Sequence, residues 1–558
     1  MTAPTPTGAW TLVAPLDGDT PARIDGAGIV TPHGVGWSVD WWIGADDRWY
    51  LPGAEPTVRQ HRDGPGPVIR TSMRIPSGDA HHRVHGAVVD GRPVTVIEVE
   101  NDSPVPVALA LAVRPTAVDG GRPDGALTLG LASTVVTVDG HPAIRLPRQP
   151  NEAAASATTD LAAVVTGGGE LRWGEAASDG SAVARPVTGS EANAVLLYPL
   201  PHRTSLRFVL SASPSTQAHP LPDVAGVPDH EAVARGWRSV IEGGARFEPA
   251  DNGLGELLGA ARARLLVGGP DTRSAPLLDL APGAGLVLHA LAVGGHRLEV
   301  EPLLDAVAET FPRRLPHGAM AAAEVVAALG PAHHLLADGQ PVAPAPEVIE
   351  AAAQLTHLVE KADRKARGDG TAVALARRGL AALAAAGGDL DAARRLLDGL
   401  DPPPTVTLDE LMVMAEAASE ARSWGADEAA PAARFVLAAR SLLLDDGAPS
   451  AVGGDGEAVD RLDELRLLPT FPSAWRGGNV EVHRAPTRFG EVSFGIRWHG
   501  ARPALLWQLD RPEGAAPVRL ACPGLDPEWS ATDPRGETLL AGTAEGLAEV
   551  PGPGDGFR

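Results

Sequence analysis

The spacing of apolar residues changes period twice along this chain of 558 residues, and that change restricts it to a multidomain α and β protein. From Trp10 to about Pro222, short alternating apolar and polar runs are separated by turn-forming residues, as in Pro93 to Glu100 and Val105 to Val113. Successive side chains of a strand point to opposite faces, so such runs predict an N-terminal β-sandwich. Asn101-Asp102-Ser103-Pro104 reads as a turn joining those two runs into adjacent antiparallel strands. From about Leu254 to Leu468 the apolar residues recur every three or four positions among Ala, Leu, Arg and Glu, the period of an amphipathic helix. Helices are expected over Leu254 to Leu266, Pro302 to Phe311, Ala319 to Leu336, Glu347 to Ala366, Ala372 to Ala386, Leu390 to Leu397, Leu408 to Ala421 and Ala429 to Leu444. Thr407 with Glu410 reads as a capping box, and Asp389 as an N-cap after Gly387-Gly388.

After Pro469 the strand period returns. In Arg488 to Leu509, Val492, Phe494, Ile496 and Trp498 fall on one face and Ser493, Gly495, Arg497 and His499 on the other. Gly500 to Pro503 then turns the chain into a second strand. The domain map is an N-terminal β-sandwich over 1–228, a linker helix over 229–253, an all-α domain over 254–468 and a small C-terminal β-domain over 469–558, since one core does not serve a chain of this length.

A formal net charge of -23 disfavours nucleic acid and anionic membranes as partners. No basic patch is present: Arg313-Arg314, Arg377-Arg378 and Arg394-Arg395 are no more than pairs, and Lys361 to Arg367 also carries Asp363. The apolar segment Leu277 to Gly294 is broken by Pro and Gly and falls short of a membrane span. One cysteine, Cys522, excludes an intramolecular disulfide and a multi-cysteine zinc site. With an N-terminus, MTAPTPTGAWTLV, that lacks a basic region followed by an apolar one, this points to the cytoplasm. A phosphate loop and a nucleophile elbow are both missing, so no cofactor is expected. His81 and His85 share a strand face while His82 points away, and two imidazoles do not make a metal site.

The stretches GADDRW (44–49), RIPSGDAHHR (74–83) and EVENDSPVPVALALAVR (98–114), with Pro472, Trp475 and Glu481 ahead of Trp498-His499-Gly500, resemble segments of six-hairpin glycosidases in an actinobacterial branch. These are the glucosidase, glycogen-debranching and α-rhamnosidase-type hydrolases built on an (α/α)6 toroid. The order sandwich, paired helices, small β-domain is the order that resemblance implies. It also implies a carbohydrate ligand and, in an active member, two carboxylates flanking the scissile bond. Glu324 and Glu347 are the candidate catalytic pair. For sugar contacts the candidates are Trp42, Asp46, Asp47 and Trp49, in a segment where Trp37, Trp41 and Tyr50 also fall, together with His499. The competing reading of that segment is that its aromatics fill the sandwich core while Asp46-Asp47 form a turn.

Between Leu254 and Leu468 the only aromatic residues are Phe311, Trp424 and Phe435, whereas a sugar-processing toroid lines its mouth with several. A degenerate glycoside hydrolase that binds oligosaccharide without turnover is therefore the expected function. The alternatives are an active inverting hydrolase on an α-linked glucan or oligosaccharide, and a helical-repeat scaffold suggested by the rhythm of Ala372 to Leu397.

Overall fold

The computed structural model describes residues 10–16, 18–171, 173, 183–212, 220–268, 270–309, 314–340, 342–401, 406–420, 429–447, 463–500 and 502–541. They fall into two compact units, one formed by the described residues up to Ser239 together with 266–268 and 418–420, and one holding the rest from Val240 onward.

The first unit is a sandwich of an eight-stranded and a nine-stranded sheet. At the centre of the eight-stranded sheet, Val107–Arg114 lies between Ser38–Gly44 and Asn193–Leu200. In the other, Arg92–Asn101 lies between Gly78–Val89 and Thr204–Ser211. The alternation puts Trp41, Ile43, Leu109, Leu111 and Leu196 from one sheet against Met73, Val84, Ile97 and Phe208 from the other. This burial supplies most of the unit's hydrophobic stabilisation.

One expectation fails here. Arg92–Asn101 and Val107–Arg114 are not paired with each other; they belong to different sheets. Period-2 patterning assigns faces but not partners. The intervening residues make a corner rather than a hairpin turn: Asn101 Nδ2 donates to the carbonyls of Val105 and Leu200 at 2.8 and 3.1 Å, while its Oδ1 accepts from Ser103 N and Oγ at 3.0 and 2.7 Å. On the outer face of the eight-stranded sheet, helix α1 (Leu161–Thr166) covers a smaller cluster containing Trp42, Ala110, Ala112 and Val195.

Helix α2 (His230–Gly243) is followed by the strand Arg246–Glu248, which joins the C-terminal sheet beside Val480–Thr487. The span 229–253 is therefore a helix and an edge strand, not a helix throughout. The remaining helices are α3 (Asn252–Leu266), α4 (Pro270–Leu278), α5 (Ala284–Val293), α6 (Arg297–Glu309), α7 (Ala319–Ala337), α8 (Pro346–Ala366), α9 (Thr371–Ala386), α10 (Leu390–Leu397), α11 (Leu408–Glu420) and α12 (Ala430–Leu443). Seven of them pack in two layers. In one, α12 lies on α5, α5 on α7 and α7 on α9; in the other, α6 and α8 cover the seams of that row and α10 covers α9.

The row is drawn tight by two glycines. A Cβ on Gly285 of α5 would sit 2.3 Å from the backbone of Glu324 and Val325 in α7, and one on Gly379 of α9 would sit 2.4 Å from the Val326 carbonyl oxygen. The expected caps form: Asp389 accepts from Ala392 N at 2.9 Å, and Thr407 N and Glu410 N each find the other residue's side chain, at 2.9 and 3.2 Å. Among the described residues α7 is the one helix long and apolar enough to cross a membrane, and two thirds of its apolar window is buried within the helical layers.

Two sheets complete this unit. In the five-stranded one, Gly490–His499 pairs with Arg502–Asp510 in the register Phe494 to Trp507 and His499 to Arg502. Val492, Phe494 and Ile496 are buried as the alternation requires. Trp498 is half-buried, donates from its indole N–H to the Gly478 carbonyl at 2.9 Å and packs against Phe471. The four-stranded sheet combines Leu444–Asp445, Asp463–Leu467, Val518–Cys522 and Asp526–Ala531.

Candidate functional site

Glu324 lies in the second turn of α7, where the close approach of α5 leaves it 7% exposed. Its Oε2 accepts a 2.9 Å hydrogen bond from Gly283 N, an unsatisfied donor at the start of α5. Burial raises the pKa of this carboxyl, opposed by the Gly283 N–H and by the positive charge of Arg434. A raised pKa suits a general acid, yet the same carboxylate also serves as a cap that α5 does not find in its own sequence.

Glu347 is elsewhere. It is exposed in the first turn of α8, on the outer layer. The beginning of α8, with Ala345 and Val348, lies beside Leu336 and Ala337 at the end of α7. The thirteen residues from Glu324 to Ala337 amount to roughly 20 Å at 1.5 Å per residue, whereas a glycosidase pair stands about 5 to 9.5 Å apart. The two candidate acids do not converge.

The tryptophan-rich segment divides by alternation. Trp41 points into the sandwich core and stacks on His82, with ring centroids 5.0 Å apart and planes inclined by 16°. Trp42 points the other way and is buried among Leu51, Ala110 and Leu161, at 2% exposure, so its faces are closed to a sugar. Residues Ala45 to Arg48 form the turn, closed by Ala45 N to Arg48 O at 3.0 Å. Asp46 and Asp47 are exposed on it; Asp47 accepts from the Tyr50 hydroxyl at 2.7 Å, which lowers its pKa. Arg48 lies over the Tyr50 ring and pairs with Glu55. Trp49 is half-buried against the α1 cluster and lies over Gly44. Core filling thus claims Trp37, Trp41, Trp42 and Tyr50, and leaves Asp46, Asp47 and the outer edge of Trp49 accessible. His499 is exposed at the end of the C-terminal hairpin, in the other unit.

The histidine run also divides as its register dictates. His82 is fully buried and burial pulls its pKa down to about 3. His81 shares a face with His85, where it meets Ser72 Oγ at 2.9 Å, while His85 Nε2 donates to the Pro228 carbonyl at 3.2 Å. Beside them, burial would raise the Glu98 pKa, but His230 and Arg207 outweigh it and hold the carboxylate at about 2. Among the described residues, one group brings metal-ligating atoms together: Glu248, Glu481 and His483, all within 4.8 Å. Arg246 and Arg497 already pair with those carboxylates at 2.8 and 3.5 Å, so the group is a surface ion-pair cluster.

A cleft of about 480 Å³ in the second unit escaped sequence reasoning. His334, Arg378, Asp446, Arg488, Phe489 and Arg511 are among its lining residues. Asp446 accepts from Arg440 at 3.2 Å and from Arg488 N at 3.1 Å; Arg488 also reaches Asp463 at 3.0 Å. Burial would raise the Asp446 pKa, but Arg440 and Arg488 outweigh it and the carboxylate is held below its ordinary value. Burial pulls His334 down to about 4 despite the attraction of Asp446, so its imidazole is neutral at pH 7. These residues are spread over nearly 180 positions, and no local motif could have assembled them.

No family model matches the chain, and no curated protein matches it. Among solved structures it is similar to a bacterial glucoamylase complexed with acarbose, at 8% identity and a TM-score of 0.45, with 71% of this chain and 66% of that chain covered. It is also similar to a family GH92 alpha-mannosidase from Bacteroides thetaiotaomicron, at 9% identity and a TM-score of 0.34, with 71% of this chain and 62% of that chain covered. The same mannosidase in complex with mannoimidazole gives 10% identity and a TM-score of 0.34, covering 71% of this chain and 60% of that one. The chain spans less than two thirds of the length of each.

Proposed function

We propose that this chain is a carbohydrate-active-enzyme-like protein, a degenerate relative of the toroidal glycoside hydrolases that binds an oligosaccharide without turning it over. The resemblance of several segments to six-hairpin glycosidases and the two-layered helices following a β-sandwich support the lineage. One observation carries the loss of turnover: Glu324 is committed to Gly283 N, and Glu347 lies roughly 20 Å further along the helix axis. With Glu347 not across from it, Glu324 lacks the candidate partner that would activate water or attack the sugar. Asp46, Asp47 and Trp49 are the remaining sugar contacts in this reading, carboxylates accepting hydroxyl hydrogen bonds beside an indole edge.

The raised pKa of Glu324 favours a second reading, an active inverting hydrolase in which Glu324 is the acid. One experiment separates the two. The purified protein is screened by thermal shift against maltooligosaccharides, trehalose, rhamnosides and glucuronides, and each mixture is assayed for released sugar. Stabilisation without release is expected; a ligand at 100 times its dissociation constant adds about 2.7 kcal/mol. Release that disappears in Glu324→Gln establishes the hydrolase instead, and no stabilisation by any sugar refutes both.

A further inference from the structure

The charges around the cleft of the second unit are unequal. Its three carboxylates are matched: Asp446 by Arg440 and Arg488, Asp463 by Arg488 at 3.0 Å, and Asp445 by Arg466 at 3.6 Å. Two further guanidiniums line the same cavity with no carboxylate within 4.0 Å among the described residues. Arg378 donates to the Asp401 carbonyl, and Arg511 donates to the Ala516 carbonyl at 2.6 Å. Each fork spends one N–H on a neutral oxygen and keeps the rest of its five donors. In a chain whose formal charge is -23, an arginine has many acids to choose from. Two in one cavity without an ion-pair partner among the described residues mark a place able to receive negative charge.

The walls limit what could supply it. Ala382, Ala385, Ala386, Ala515 and Ala516 give the cavity small, smooth sides, and Phe489 presents a ring already covered by Arg488 at 4.2 Å. At about 480 Å³ the space is of the size that accepts a small metabolite. His334 contributes a polar ring without adding charge.

We propose that this cleft binds a small organic phosphate, with the phosphate held between Arg378 and Arg511 and the remainder of the molecule lying along the alanines. Arginine forks match phosphate oxygens in pairs, and such charge-assisted hydrogen bonds are the strong ones. A phosphate next to His334 also stabilises its protonated form, which burial otherwise disfavours. The site shares no residue with Glu324 or with the Asp46 to Trp49 turn, and it does not depend on the carbohydrate reading.

The test uses the full chain and pyrophosphate as the probe, titrated calorimetrically at low ionic strength, with maltotriose as a neutral comparison. Saturable heat is expected with pyrophosphate, weakened at least tenfold in the Arg378→Gln/Arg511→Gln double variant and unchanged in Arg394→Gln, an arginine on α10 that pairs with Asp391. The Arg378→Lys/Arg511→Lys double variant is expected to retain part of the affinity, which separates lost charge from lost fold. The His334 imidazole, followed by NMR, is expected to titrate at higher pH with the probe bound. No saturable heat with the wild-type chain, undiminished affinity in the folded double variant, or a His334 titration that ignores the probe would each overturn the assignment.

Discussion

Glu324 is the residue on which a structural and a catalytic role can be told apart by stability alone. As a cap it needs only an oxygen acceptor for Gly283 N, which glutamine retains. Glu324→Gln is therefore expected to change the unfolding free energy by less than about 1 kcal/mol. Glu324→Ala, which leaves the buried N–H of Gly283 unsatisfied and opens a small void, is expected to cost about 2 to 3 kcal/mol. Urea unfolding of the two variants reads the difference, and equal losses would refute the capping role. His82 makes a second residue-scale prediction. Its folded pKa of about 3 lies below the roughly 6.5 of an exposed histidine. The stability it contributes is fully present above pH 6.5 and declines as the pH falls from 6.5 toward 3, because only the unfolded chain takes the proton. In His82→Phe, which keeps the ring on Trp41, the fall in stability between pH 7 and pH 5 is expected to shrink by about 2 kcal/mol, measured by unfolding at each pH. Alternation placed His82 opposite His81 and His85, and separated Trp41 from Trp42. It did not show that the outer face of that sheet is itself covered by α1, which is why Trp42 looked available.

Helices were legible where one face is wet. Leu390–Leu397 and Leu408–Glu420 are exposed on one side, and their caps stand in the sequence as Asp389 and as Thr407 with Glu410. Helix α5 was not, because GLVLHALAV lies in the inner row between α7 and α12, is apolar around most of its circumference and shows no 3.6-residue rhythm. Helix α6 begins at Arg297, five residues ahead of Pro302, the start that the sequence pattern predicts. The helices expected to end at Phe311 and at Ala421 reach beyond the described residues. The two glycines of the inner row make the element-scale prediction. A methyl group at position 379 meets the Val326 carbonyl and the Ala327 Cα rather than a movable side chain, so α9 must shift off α7. Gly379→Ala is expected to destabilise the helical unit by about 2 kcal/mol or more, although the same change in an exposed helix gains about 1 kcal/mol. Gly236→Ala in α2, where the added carbon meets nothing within 4 Å, provides that comparison. A Gly379→Ala protein at least as stable as wild type would show that the row is not closely packed.

At the scale of the whole molecule, period-2 and period-3.6 patterning located the sandwich, the helices and the C-terminal strands. It could not place strands 246–248 or 463–467, whose partners lie far away in sequence. Nor could it find the arginine-lined cleft, because that site exists only once α7, α9 and the C-terminal strands are assembled. Each unit has a core of its own, the sandwich core centred on Trp41 and Phe208 and the helical one on α5, α7 and α9. Chains with separate cores depart from all-or-none unfolding. Scanning calorimetry is therefore expected to resolve two transitions, and the variants already named assign them. Gly379→Ala lowers only the transition of the helical unit, because the Val326 carbonyl it strikes belongs to that unit. Acidification from pH 7 to pH 5 acts on both, since His82 in the sandwich and His289 and His334 in the helical unit are all held neutral by burial. His82→Phe relieves the acid response of the sandwich transition alone. If the same variants move one common transition instead, the two cores unfold as a single cooperative body, and the proposed phosphate, bound in the second unit, would then stabilise the sandwich as well.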